Sequence, residues 1–298
     1  MPLPDQPAWL LALAGAVFGL IVGSFLNVVI YRLPKMLERQ WAAEARDFMA
    51  DNAGPAAAAD AGPHAPAAQT EEPFNLAVPR SRCPSCGHAI AWYENIPVFS
   101  YLALRGRCSA CHAPISVRYP LVELLTGALF AVCAWRWGLS ATALVWCGFA
   151  AALVALAGID WDTTLLPDNL TLPLLWAGLL AAALGLTGVT ATAAVWGAAA
   201  GYLALWAVYW AFKLTTGKEG MGYGDFKLFA ALGAWFGWQG LLPVILLASV
   251  AGIIVGLALK AARRLHAGGM VPFGPFLALG GLAAMLIGSR ALLRPIGL

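Results

Sequence analysis

The chain carries little charge. Only 11% of its 298 residues are Asp, Glu, Lys or Arg, while 61% are hydrophobic; soluble domains hold roughly 25% and 45–50%. That deficit excludes an ordinary soluble globular protein and implies several membrane spans. Acids are scarcest in the second half, where only Asp160, Asp162, Asp168, Glu219 and Asp225 follow Glu123. The apolar runs suit helices rather than a β-barrel, whose strands would be about ten residues of alternating polarity. No basic segment precedes the first run and no small-residue cleavage site follows it. Tyr31-Arg32-Leu33-Pro34-Lys35 stands there instead, so the run reads as an anchor and not as a cleaved signal peptide. There is also no internal repeat, which leaves an inverted-repeat transporter without support.

What is present are apolar runs at 9–31, 120–138, 140–159, 170–187, 190–213, 240–260 and 272–289, each near the roughly 17–25 residues that a helix needs to cross a bilayer. Residues 226–238 are apolar but short, and form either a half-depth helix or one arm of a hairpin with 240–260. The expected fold is an all-α polytopic membrane protein of about eight transmembrane helices, surrounded by lipid, with a small cytoplasmic module after the first helix. The boundaries fall at 1–35 for the first helix, 36–119 for linker and module, and 120–298 for the helical core.

Orientation follows from Lys and Arg. Arg32, Lys35, Arg39, Arg46, Arg80, Arg82, Arg105, Arg107 and Arg118 lie between the first two spans. Lys213, Lys218, Lys260, Arg263 and Arg264 fall on the same side when eight spans are counted, leaving Arg136, Arg290 and Arg294 opposite. The N-terminus is then outside, and Asp160 and Asp225 both face the cytoplasm. The net charge of +3 is a topology signal, and no nucleic-acid partner is implied.

Residues 51–70 are rich in Ala, Pro, Gly and Asp and read as a linker, because such a composition cannot offset its ordering entropy. Residues 75–119 form a module too small for an independent core without a staple. The staple is there in sequence. Cys83-Pro-Ser-Cys86 and Cys108-Ser-Ala-Cys111 are separated by 21 residues, the pattern of two knuckles closing a tetrahedral zinc site with sulfurs at about 2.3 Å. Disulfides are the rival reading, disfavoured in a reducing compartment. Four thiolates leave no open position, so the zinc would be structural. Gly87 and Gly106 supply tight turns, His88 and His112 read as exposed loop residues, and Cys133 and Cys147 as small apolar core residues.

Asp160 ends an apolar run and Asp225 ends the loop Gly220-Met-Gly222-Tyr-Gly224. An ionisable residue at a bilayer rim is a functional candidate, and two that meet would form an aspartyl acid/base pair; the alternative is a pair of interfacial loop acids facing water. The glycines would let the backbone approach closely and set Asp225 at a helix start. A phosphate-binding loop is a weak rival, for it needs a strand before it. Asp168 reads as an N-cap for a helix starting near Asn169, Asp162 as facing water or substrate charge, and Lys227 as snorkelling to the interface.

Three stretches line up: Gly23-Ser-Phe-Leu-Asn27-Val-Val-Ile-Tyr-Arg32-Leu-Pro34, Ile159-Asp160-Trp-Asp162-Thr-Thr-Leu-Leu-Pro167-Asp168-Asn-Leu-Thr171-Leu-Pro173, and Gly217-Lys-Glu-Gly-Met-Gly222-Tyr-Gly224-Asp225-Phe-Lys227. With the cysteine module and Pro272-Phe-Gly-Pro275-Phe, they resemble the bacterial type IV prepilin peptidases, intramembrane aspartyl proteases that also serve type II secretion. The resemblance covers nearly the whole chain. It implies that Asp160 and Asp225 are the catalytic aspartates, and that the substrates are prepilins and pseudopilins with a short basic leader, cut at the cytoplasmic face of the inner membrane. It also implies methylation of the new N-terminus from S-adenosylmethionine, although no soluble methyltransferase fold is readable here. An ion-coupled transporter or a zinc-dependent membrane scaffold are rivals, and neither gives both aspartate contexts a purpose.

Overall fold

The computed structural model describes residues 7–52, 73–263, 271–289 and 291–292. Most of the expected linker at 51–70, and Arg264, Arg290 and Arg294, lie outside the described residues. Outside the turns and loops of residues 73–98 and 104–117 the described chain is mainly helical: α1 (Ala8–Asn52), a short α2 (Phe99–Ala103), α3 (Arg118–Trp137), α4 (Ala141–Thr163), α5 (Asp168–Ala183), α6 (Ala191–Thr216), α7 (Tyr223–Ala261) and α8 (Gly274–Ile287). By length and composition α1, α3, α4, α6 and α7 are able to cross a membrane, while α5 and α8 are shorter apolar helices. Two helix starts are capped by short hydroxyls: Ser140 Oγ accepts the Ala143 N–H at 3.2 Å, and Thr190 Oγ1 accepts that of Ala193 at 3.2 Å. Helix α1 does not stop where the apolar run ends but continues through Pro34 for 45 residues in all.

Helix α7 is two helices. Gly237 breaks it with φ 69° and ψ 174°, a backbone conformation that essentially only glycine adopts. The contacts show that the chain turns back there. Leu232 and Val244 both pack at the level of Gly280 and Gly281 on α8, and Gly252 then meets Phe276 further down. A straight helix would separate Leu232 from Val244 by about 18 Å. The hairpin expected as one option for 226–260 is therefore what forms. With that reversal, eight apolar segments alternate in direction, and the ends of α4, α6 and the second half of α7 share one face with the starts of α3, α5, α7 and α8.

Small residues set the packing, as expected where lipid competes with protein for apolar surface. Gly15, Gly19 and Gly23 recur every fourth residue on α1 and let Phe130, Thr126 and Glu123 of α3 approach; a Cβ at Gly19 would lie 2.7 Å from the Thr126 carbonyl oxygen. Gly197 of α6 meets Gly233 of α7 backbone to backbone, with a Cβ on the former only 2.2 Å from the Gly233 oxygen. Between the helices, Phe149 packs on Trp235 at 4.6 Å between ring centroids and Trp146 on Trp235 at 5.1 Å. The Trp235 Nε1–H donates to the Leu174 carbonyl at 2.9 Å, so its one polar atom is satisfied. At the far end Arg136 donates to the last carbonyls of α8, those of Met285 and Leu286.

Because the atom facing Gly197 is a carbonyl oxygen on a paired helix, it cannot swing away. Gly197→Leu is expected to destabilise the α6–α7 pair by about 1–3 kcal/mol or more, whereas Gly148→Leu, where a Cβ meets nothing within 4 Å, should change little. Thermal unfolding of the two variants in the same detergent checks this.

Candidate active site

Asp160 lies in the last turn of α4, which ends as Thr164 turns left-handed at φ 54° and sends its N–H back to the Asp160 carbonyl. Asp225 lies in the first turn of α7, after the extended Gly222. The carboxylates are 4% and 8% exposed, and near enough for the charge of Asp160 to act on Asp225. Asp160 Oδ2 accepts the backbone N–H of Gly274, the first residue of α8, at 2.9 Å. Gly274 must be bare for this: a Cβ there would stand 2.6 Å from that oxygen. Gly224 is equally close to Leu166, whose side chain also touches Gly274. Leu166 thus wedges the two helix starts apart beside the carboxylates. Asp225 Oδ1 is buried and has no hydrogen-bond partner among the described residues.

The other acids are engaged elsewhere. Asp162 receives both of its contacts from Arg118 Nη1, at 2.7 and 2.6 Å, and Arg118 Nη2 also reaches the Gly158 carbonyl at 3.3 Å. Lys227 Nζ holds both oxygens of Asp168 at 2.6 and 2.7 Å. One expectation is corrected here. Pro167, not Asp168, occupies the N-cap position of α5 without a side-chain cap bond, and Asp168 is the first helical residue. Lys227, read as snorkelling, has Asp168 as its partner. Across the glycine loop, Lys213 donates to Glu219 at 2.8 Å and Tyr209 at 3.2 Å, and that ammonium holds the Glu219 carboxyl below its usual range.

The four module cysteines converge. Their sulfurs all lie within 4.8 Å of one another, and Cys83 Sγ is 3.8 Å from Cys111 Sγ; a tetrahedron with about 2.3 Å metal–sulfur bonds has an edge of about 3.8 Å. The knuckles are built alike. Cys83 N–H donates to the His88 carbonyl and Gly87 N–H to that of Cys83, both at 2.9 Å, and the second repeats this from Cys108 to Ala113 and from His112 to Cys108. Gly87 and His112 hold the same left-handed place, at φ 73° and 56°. The N–H groups of Cys86 and Ser85 bring the Cys83 thiol down to about 6. Cys86, although the His88 amide pulls it down, is pushed up to about 12 by its contact with Cys111 and by burial. Four thiols so close cannot all ionise alone, and a bound cation removes that conflict. These residues fit a metal ion. His88 is not a ligand: its Nε2 meets Glu94 at 3.2 Å and Ser109 at 3.3 Å. The Ser109 hydroxyl and the Ala91 N–H in turn hold Glu94 down to about 2.

Two buried side chains that the sequence reading gave no role fasten the module to the bundle. Arg32 of α1 donates to the carbonyls of Asn75 at 2.8 Å and Pro79 at 2.6 Å, and Glu123 of α3 accepts the Val98 N–H at 2.8 Å. Arg32 was part of a quoted stretch, but Glu123 had only its isolation in an apolar run as a signal.

Two buried acids near one end of an apolar helical bundle, on a chain that also carries a four-cysteine cluster, fit a membrane-embedded peptidase. Comparison agrees with that class. Residues 17–137 match the bacterial peptidase A24 N-terminal domain and residues 147–257 the type IV leader peptidase family. The chain is 54% identical over 286 residues to a prepilin leader peptidase/N-methyltransferase of Aeromonas hydrophila, covering 94% of this chain and 92% of the relative. It is 52% identical over 278 residues to the one of Stutzerimonas stutzeri, covering 93% and 91%. The one of Pseudomonas aeruginosa is 48% identical over 293 residues, covering 97% and 96%. The chain belongs to the type IV leader peptidase family. No solved structure matches it significantly.

Replacing Cys83 and Cys86 together by Ser removes one whole knuckle, so bound metal should fall to background and the module should open to protease within residues 75–119. Elemental analysis of freshly purified protein checks the first part, and wild type without metal would refute the site.

Proposed function

We propose that this chain is an intramembrane aspartic endopeptidase that removes the basic leader from prepilins and pseudopilins, with Asp160 and Asp225 as its catalytic pair. The observation that carries the reading is their burial together at one end of the bundle, one oxygen held by the Gly274 amide and another left without a partner. Two carboxylates in one site favour a single shared proton. Asp160, fixed by an N–H donor, is suited to take a proton from water; Asp225, whose Oδ1 needs a partner, is suited to hold the proton that polarises the scissile carbonyl. The water then attacks that carbonyl, and the proton passes on to the leaving amine.

The family relationship supports further parts of the reading. Relatives named as N-methyltransferases support methylation of the new N-terminus, with S-adenosylmethionine as donor, and no residue of this chain is assigned to that step. The donor set of Cys83, Cys86, Cys108 and Cys111 suits Zn²⁺ in a closed, structural site. The Lys and Arg distribution supports a bacterial inner-membrane protein of eight crossings, with the aspartates facing the cytoplasm, where the leader remains.

Asp160→Asn and Asp225→Asn should each abolish prepilin cleavage in isolated membranes while the protein still accumulates there, since an amide keeps the size but cannot share the proton. Near-normal cleavage by either variant removes that residue from the pair.

Orientation has its own test. In a chain lacking Cys133 and Cys147, single cysteines at Thr164 and Thr216 should resist an impermeant thiol reagent in intact cells and react once the membrane is opened. One at Ser140, at the opposite end, should react without opening. Labelling of Thr164 and Thr216 from outside would invert the topology and end the cytoplasmic-cleavage reading.

A further inference from the structure

The cysteine module carries a group of large apolar side chains with no place in its own packing. Trp92 and Tyr93, on the short turn Trp92–Asn95, are 77% and 59% exposed, and Phe99 and Leu102 of α2 are 69% and 66% exposed. Phe99 and Leu102 are three residues apart, so they share one face of the helix. On a module surrounded by water, such a cluster would be an aggregation liability.

The clamps fix the depth at which this cluster lies. Val98, immediately before Phe99, donates its N–H to Glu123 Oε2 at 2.8 Å. Glu123 is five residues into α3 from Arg118, whose ion pair with Asp162 marks the charged level. It also packs at the level of Gly23, nine residues before Arg32 in the apolar part of α1. Those spacings correspond to about 7 Å along α3 and about 13 Å along α1, less a few ångströms because helix side chains lean toward the helix start. Val98 and Phe99 are thereby held about 5–10 Å below the charged level, the depth at which interfacial helices rest between headgroups and acyl chains. Val117, just before α3, and Leu121 and Leu125 on it are exposed apolar residues too. Just beyond α2, Arg105 and Arg107 are exposed, where lipid phosphates would lie. Trp and Tyr are the residues that favour this zone.

We infer that Trp92, Tyr93, Phe99 and Leu102 form a lipid-binding surface, by which the cysteine module lies in the cytoplasmic membrane interface rather than standing in the cytoplasm. The occupant is the bilayer of phosphatidylethanolamine and phosphatidylglycerol type. The inference depends on the bundle spanning a membrane and not on the peptidase reading.

The test uses the full chain in nanodiscs of those two lipids. An environment-sensitive fluorescent amino acid is introduced by codon suppression at Phe99, Leu102 or Trp92 in turn, with Glu44 on the polar extension of α1 as the aqueous control. Each protein is kept only if its gel-filtration profile and thermal transition match wild type, and three sites guard against one that does not fold. Lipids carrying a doxyl group high on the acyl chain should quench Phe99 and Leu102 several-fold more than Glu44, and iodide in the water should quench them several-fold less. Quenching by iodide as strong as at Glu44 would place the cluster in water and overturn the inference. Protection from both quenchers would mean that protein covers the surface, a second copy or another chain, and would overturn it equally.

Discussion

In apolar surroundings a carboxylate persists only with a hydrogen-bond donor or with a proton, and the geometry around Asp160 follows from that constraint. Its donor is the first amide of α8. For that amide to reach the end of α4, α8 has to begin below the charged level and be bare at Gly274. Asp225 enters from the start of α7, so two helix N-termini are aimed at the same pair of acids, and their dipoles favour negative charge there. Two parallel neighbours need a returning segment between them. The second half of α7, turned back at Gly237, supplies it, and a break far from the acids is thus a condition for their meeting.

The same constraint governs how the cysteine module is attached. Arg32 and Glu123 are both buried, and among the described residues neither is paired with an opposite charge; each is bonded to backbone groups of the module. The attachment therefore depends on the module being folded, since a loosened module would strand a buried cation and a buried acid at once. A segment of this size has little core of its own, and four thiols brought to within 4.8 Å offer the cross-link that it lacks. On the proposed reading, metal binding at the knuckles and polar burial inside the membrane helices would be one folding event.

Sequence alone revealed whatever was concentrated in rare residue types. Asp160 and Asp225 stood out because the second half has so few acids, and the knuckles because thiols in that spacing have few other uses. The helical class, the apolar segments and the hairpin option at 226–260 were legible from composition and length. What was not legible depended on which faces meet. The ion pairs of Asp162 and Asp168 were not legible because Arg118 and Lys227 are distant in sequence or on another helix. Asp168 was placed one residue off as a cap, since Pro167 before it sets the extended backbone that ends the loop. The extension of α1 to Asn52 looked like linker because polar helix and polar loop have similar composition. The four-residue glycine spacings of α1 and α6 were present as a packing signal but are too common in apolar sequence to choose a partner.

The ion pairs Arg118–Asp162 and Lys227–Asp168 have a use that their strength does not explain. Pairs of this kind contribute about 0–1 kcal/mol to stability. Yet Asp162 follows Asp160 by two residues and Lys227 follows Asp225 by two, and each is tied to the start of a different helix, α3 or α5. Left alone, Asp162 and Asp168 would add two negative charges at the mouth of the site, and the unshielded Lys227 a positive one. Paired, they leave the rim close to neutral, so that the charge felt by Asp160 and Asp225 is set by each other and by the two helix starts. On the proposed reading, a basic leader approaching the buried pair would then meet Asp162 and Asp168 already paired, so that these two acids would compete less for it.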